Sequence, residues 1–126
     1  MTVLPVSAQN VIEVNDATDV APANDGVCTL REAITAANSN TASGGAVGEC
    51  AAGSVVNPDT IYFDIGGGGS SETIQPTSAL PDVSSAIYID GFSQNCGGGP
   101  CIELDGTNAG IGSNGFRVTS SGSTIR

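Results

Sequence analysis

Apolar residues recur along this chain at two different beats. At Leu30, Ala33, Ile34 and Ala37 they fall at i, i+3, i+4 and i+7, the spacing of one buried helical face. Everywhere else they come in short runs, often alternating with polar residues, set between Gly-, Ser- and Asn-rich turns. Thr60-Ile61-Tyr62-Phe63-Asp64-Ile65 puts Ile61, Phe63 and Ile65 on one face and Tyr62 and Asp64 on the other. Val11–Val14, Glu72–Gln75, Ala86–Gly91, Cys101–Gly106, Gly115–Thr119 and Ser123–Arg126 read as further short strands.

The helix is expected over residues 30–38. Thr29 stands before its apolar face and Glu32 three residues on, a capping box in which each side chain satisfies the other residue's free amide. Glu32 also places negative charge in the first turn, where the helix dipole favours it. Asn38 is the expected stop, because Asn tolerates the left-handed conformation that ends helices. A helix this short owes its order to packing, so it is read as a lid on the strands.

Short strands at a regular beat close into a sandwich or barrel, or wind as successive coils of a parallel solenoid. Few two-residue hairpin turns, very short strands and a capped helix ahead of the strands favour the second. Two segments also share one form, Ile87-Tyr88-Ile89-Asp90-Gly91 and Ile102-Glu103-Leu104-Asp105-Gly106. The expected fold is therefore mainly β: the opening coils of a right-handed parallel β-helix with an N-terminal capping α-helix. Residues 1–8 are read as a leader remnant ending in Val6-Ser7-Ala8, or as a disordered tail. Residues 9–58 form the cap, and 59–126 the first coils, cut after Arg126.

Composition narrows the function. Three Lys+Arg against 13 Asp+Glu give a formal charge of −10. That excludes nucleic acid, whose binding relies on basic side chains, and docking on anionic lipid. No apolar run approaches the ~18 residues of a membrane span. Cys28, Cys50, Cys96 and Cys101 lack the spacing of zinc knuckles, and the chain has no His. They are read as disulfides and imply an oxidising compartment, the alternative being four free buried thiols. Of the three possible pairings, Cys28–Cys50 and Cys96–Cys101 are favoured because each closes a local Gly-rich loop. Each would contribute roughly 2–4 kcal/mol.

Few residues suggest chemistry. Arg31 is read as a structural pin of the helix in preference to an anion clamp. Asp90 and Asp105 hold matching places before Gly and would stack on adjacent corners. Paired carboxylates suit glycoside cleavage or a shared calcium ion, but each Asp-Gly is also an ordinary turn. Asp16, Asp19 and Asp25 lack the spacing of a calcium-binding EF loop and are read as turn residues. A Ser–His–Asp triad is excluded by the missing His, and Gly66–Gly69 is no phosphate loop. The Tyr62 and Tyr88 rings offer a sugar platform or pack under a loop.

The run Asp25-Gly26-Val27-Cys28-Thr29-Leu30-Arg31-Glu32-Ala33-Ile34, with Ala36-Ala37-Asn38, resembles the CSLREA motif, Thr29 standing where that name has Ser. The resemblance continues through Asp59–Phe63, Leu80-Pro81, Ile89–Gln94, Pro100–Gly106 and Gly115–Val118. It implies a bacterial secreted or cell-surface parallel β-helix protein of the pectin lyase-like kind, and no settled chemistry. The expected role is a structural cap of an adhesin-like, carbohydrate- or surface-interacting protein. No cofactor is implied, calcium being the one option. The partners are downstream coils of the same chain and extracellular glycans or surface proteins. The alternative is the N-terminal part of a polysaccharide lyase or glycoside hydrolase with its active site on later coils.

Overall fold

A computed structural model describes residues 10–56 and 58–126; the expected leader or tail at 1–8 lies outside the described residues. The elements are β1 (Val11–Val14), α1 (Leu30–Ser39), β2 (Asp59–Phe63), β3 (Glu72–Ile74), β4 (Ile87–Asp90), β5 (Ile102–Leu104) and β6 (Thr124–Ile125). One sheet has the order β1-β2-β4-β6 and the other pairs β3 with β5; all the pairings are parallel.

The capping box forms: the Thr29 amide donates to Glu32 Oε2 at 2.9 Å, and the Thr29 hydroxyl accepts from the Glu32 amide. The helix, however, runs to Ser39, and the left-handed residue that ends it is Asn40, not Asn38. Asn38 stays helical because its side chain has another use. Its Nδ2 donates to the Asp82 carbonyl at 2.7 Å, and its Oδ1 accepts from the amides of Ser84 and Ser85.

The expected β-helix solenoid is corrected here to a small α/β domain. Strand covers only about a fifth of the chain, divided between two parallel sheets beside one helix. The physical reason lies in α1. Leu30, Ala33, Ile34 and Ala37 belong to the same buried cluster as Ile12, Val14, Ile61, Phe63, Ile74 and Ile89. The helix is thus a layer of the core and not a lid laid over its end. Gly115–Thr119, expected as a strand, contributes a single parallel bridge from Val118 to Val83. Strands also end sooner than their alternation suggests. After β2, β4 and β5 the chain enters 3₁₀ turns at Ile65–Gly67, Gly91–Gln94 and Gly106–Asn108.

Cys28 pairs with Cys50 and Cys96 with Cys101, and no described cysteine is free. The first bond is fully buried beside the helix start, and the two bonds together point to an oxidising compartment. No described helix is long and apolar enough to cross a membrane.

Candidate functional site

Alternation sends one set of side chains from the four-stranded sheet into the core and the other outward. The outward set includes Glu13 of β1, Thr60 and Tyr62 of β2, Tyr88 and Asp90 of β4, and Thr124 of β6. Parallel register lines them up in rows: Glu13 beside Tyr62 beside Asp90, and Thr60 beside Tyr88 beside Thr124. Both tyrosines are half-buried, and Phe92, just past β4, is more than half exposed.

Along this strip two pairs of side chains are hydrogen-bonded, Glu13 with Tyr62 and Asp90 with Arg126. The Tyr62 hydroxyl donates to the Glu13 carboxylate. That bond, then burial, then the negative charge of Glu13 push the phenol up to about 12. Arg126 donates to Asp90 through both Nε (3.1 Å) and Nη2 (3.0 Å). Its guanidinium lies 5.3 Å from the Tyr88 ring centre and 5.9 Å from that of Phe92, within cation–π range. The strip therefore combines three aromatic rings, two carboxylates, one guanidinium and two threonine hydroxyls.

Asp90 and Asp105 hold equivalent local positions, each accepting an amide two residues on, from Phe92 and Thr107, and so capping a 3₁₀ turn. They do not stack on adjacent rungs of one sheet, because β4 and β5 belong to different sheets. Each carboxylate also has donors of its own: Arg126 for Asp90, and Thr107 and Gln75 for Asp105. The Thr107 hydroxyl, the Gln75 amide and the Thr107 backbone hold the Asp105 carboxyl below the usual range. A calcium ion shared by Asp90 and Asp105 would have to displace these partners.

Arg31 makes a bidentate pair with Asp19 (2.9 Å to each oxygen) and donates to the carbonyls of Ala79 and Ser78. It joins the loop before α1 to the segment after β3. Thr77 adds its amide and hydroxyl to the same Asp19 carboxylate. Burial by itself would raise the Asp19 carboxyl, but Arg31 and Thr77 overcome it and hold it low. The other two aspartates of that loop each accept an amide two residues on, Asp16 from Thr18 and Asp25 from Val27.

A carboxylate trio not anticipated from the sequence, Asp25, Glu32 and Glu49, brings oxygens within 4.8 Å of one another. Glu32 is committed to the capping box. Glu49 accepts from the Ser43 hydroxyl and the Gly26 amide, which lower its carboxyl. The trio is tied to local structure by these bonds. Asp25 and Glu49 are brought together by the Cys28–Cys50 bond and the Gly26–Glu49 hydrogen bond, contacts that linear spacing does not reveal.

Comparison with protein-family models, with curated proteins and with solved structures finds no match to this chain. What can be said of its class rests on its own residues: a small, acidic, disulfide-linked α/β domain with an aromatic strip on one sheet face.

Proposed function

We propose that the chain is a non-catalytic, surface-interacting module of a secreted or cell-surface protein, adhesin-like in role, and that its outer sheet face contacts neutral extracellular glycans. The observation that carries this reading is the strip of Tyr62, Tyr88 and Phe92 with Glu13, Asp90 and Arg126. Aromatic rings offer the apolar faces of a pyranose a platform, and the flanking carboxylates and guanidinium offer acceptors and donors to its hydroxyls. A chain charge of −10, with Arg126 already paired to Asp90, disfavours anionic polysaccharide. The two disulfides suit an extracellular setting. The CSLREA resemblance adds a bacterial surface protein as the parent. Catalysis forms no part of this reading, because the paired-carboxylate arrangement that cleavage needs is taken up in turn caps and an ion pair.

The test is a titration of neutral oligosaccharides, followed by amide chemical shifts. Shifts at Tyr62, Tyr88 and Phe92, with binding weakened in Tyr88→Ala and Phe92→Ala, support the reading. Binding that both variants leave unchanged, or stronger binding of uronate oligomers, sinks it. Release of new reducing ends or unsaturated products would move the chain to the polysaccharide-cleaving alternative.

A further inference from the structure

Asp59, the first residue of β2, is the most deeply buried carboxylate among the described residues, 1% exposed. Its Oδ1 accepts the Ser54 amide at 2.8 Å, and no described donor reaches Oδ2. A buried carboxylate ordinarily has a cation or a full set of donors beside it. This chain has no side-chain cation to spare: its Lys+Arg total is three, and it has no His. Arg31, Arg117 and Arg126 are paired with Asp19, Asp82 and Asp90.

The end of α1 brings further oxygens to the same place. The amides of Asn40, Thr41 and Gly53 all converge on the Ala36 carbonyl, so the fully buried Ala37 carbonyl receives no described amide. A Cβ on residue 53 would stand 2.5 Å from Asp59 Oδ2 and 2.9 Å from the Ala37 carbonyl oxygen. Gly53 does not lie in the left-handed region, so glycine here serves space and not a turn. Asn40 Oδ1 is also buried and without a hydrogen-bond partner. Asn40 and Ser54 line one hollow of about 370 Å³ with Ser85 and Ala86. Asp59 is tied to two of those residues, to Ser54 by its carboxylate and to Ala86 by its own amide. The helix dipole adds partial negative charge at this end, in a chain whose net charge is −10.

We propose that the junction of α1 with β2 binds a calcium ion, with Asp59 Oδ2 as the charged ligand, the Ala37 carbonyl and Asn40 Oδ1 as neutral ligands, and water from the hollow completing the shell. Every protein donor is an oxygen, the hard set that calcium takes. The chain has no His, and every described cysteine is in a disulfide, so softer metals find no ligand of their own kind. Magnesium demands a near-ideal octahedron and gives up its water reluctantly. An ion here would neutralise the buried carboxylate, occupy two orphaned acceptors and fasten the end of the helix to the start of the sheet. The site is separate from glycan contact, which uses the outward sheet face, whereas Asp59 is buried in register with Ile87.

The probe is calcium chloride, titrated at neutral pH and constant ionic strength into chelator-treated protein and followed by amide shifts. The expected result is saturable shifts at Gly53, Ser54 and Asp59, with a Kd of about 10⁻⁴–10⁻³ M, the range of extracellular calcium modules. Asp59→Asn should abolish those shifts without lowering the melting temperature of the calcium-free protein, because its Nδ2 can donate to the Ala37 carbonyl. Asn40→Gly, which keeps the left-handed turn, should raise the Kd by about threefold or more through loss of one ligand. Should Asp59→Asn misfold, Asn40→Gly decides. No saturable shift up to about 10 mM calcium, shifts confined to Asp25, Glu32 and Glu49, or an equal response to magnesium overturns the proposal. So does calcium binding that the variants leave unchanged. A carboxyl-carbon shift showing Asp59 protonated at saturating calcium overturns it as well, since a proton shared with Ala37 would then take the ion's place.

Discussion

The side-chain amide of Gln94 pairs with the backbone of Ile65 as a neighbouring strand would. Ile65 N–H donates to Gln94 Oε1 at 2.9 Å, and Gln94 Nε2 donates back to the Ile65 carbonyl at 2.8 Å. Gln94 is fully buried. Next to it, the Ser93 hydroxyl accepts from the Phe63 amide at 2.7 Å and donates to the Asp90 carbonyl at 2.6 Å. Together they carry the β2–β4 pairing past the point where both strands bend away into 3₁₀ turns.

Gln94→Leu keeps the volume but strands a buried donor and a buried acceptor of Ile65. Each unsatisfied group costs about 1–3 kcal/mol, so urea unfolding should show a loss of at least about 2 kcal/mol. Gln94→Glu should also destabilise, because it sets an acceptor against the Ile65 carbonyl. A neutral Gln94→Leu would mean that water replaces the amide.

The two disulfides should differ in weight. Cys28–Cys50 spans 22 residues and Cys96–Cys101 only 5. Loop-closure entropy then assigns about 3 kcal/mol to the first and about 2 kcal/mol to the second. Paired Cys→Ser variants compared by chemical denaturation should reproduce that order. Equal losses would show that the buried surroundings of Cys28 and Cys50, and not loop length, set the cost.

The Asp19–Arg31 clamp should make stability fall in acid. Because the folded Asp19 carboxyl sits below its ordinary value of about 3.9, its contribution is fully present above that value. It is lost as pH falls through the lower folded value. Burial acts the other way on Asp59, raising its carboxyl against the single amide of Ser54. Its effect cancels when the wild type is compared with Asp19→Asn at each pH. The difference in melting temperature between the two should be constant from pH 7 to 5 and shrink below pH 4. A difference that persists to pH 2 would remove the carboxylate from the account.

Glu13→Gln should bring the Tyr62 phenol down from about 12, since the bond to Glu13 is the largest cause of its elevation. Absorbance at alkaline pH reads this directly. An unchanged titration would assign the shift to burial.

Asn38→Ala removes three hydrogen bonds between the end of α1 and the Asp82–Ser85 segment. At about 1 kcal/mol for a typical net bond, the loss should be on the order of 2–3 kcal/mol in urea. Asn40→Gly, which keeps the left-handed turn that residue 40 adopts, should be near neutral.

Interactions between near neighbours were legible in the sequence. The helix face at Leu30, Ala33, Ile34 and Ala37, the Thr29/Glu32 capping box and the two cysteine pairs all depend on short-range spacing or on small loops. Strand positions could be read for the same reason, because alternation is a property of consecutive residues. Tertiary structure decided everything that depends on which distant segments meet. It assigned Arg31 to Asp19, and Gln94 to Ile65. It drew Asn38 to Ser84 and Ser85, so that the helix ran on to Ser39 and ended at Asn40, and it set Asp90 and Asp105 in different sheets. It also turned the expected capped solenoid into a small α/β domain, because the helix face that alternation alone left without a partner found it inside the common core. Periodicity states which side of an element is apolar; only the folded chain states what that side is buried against.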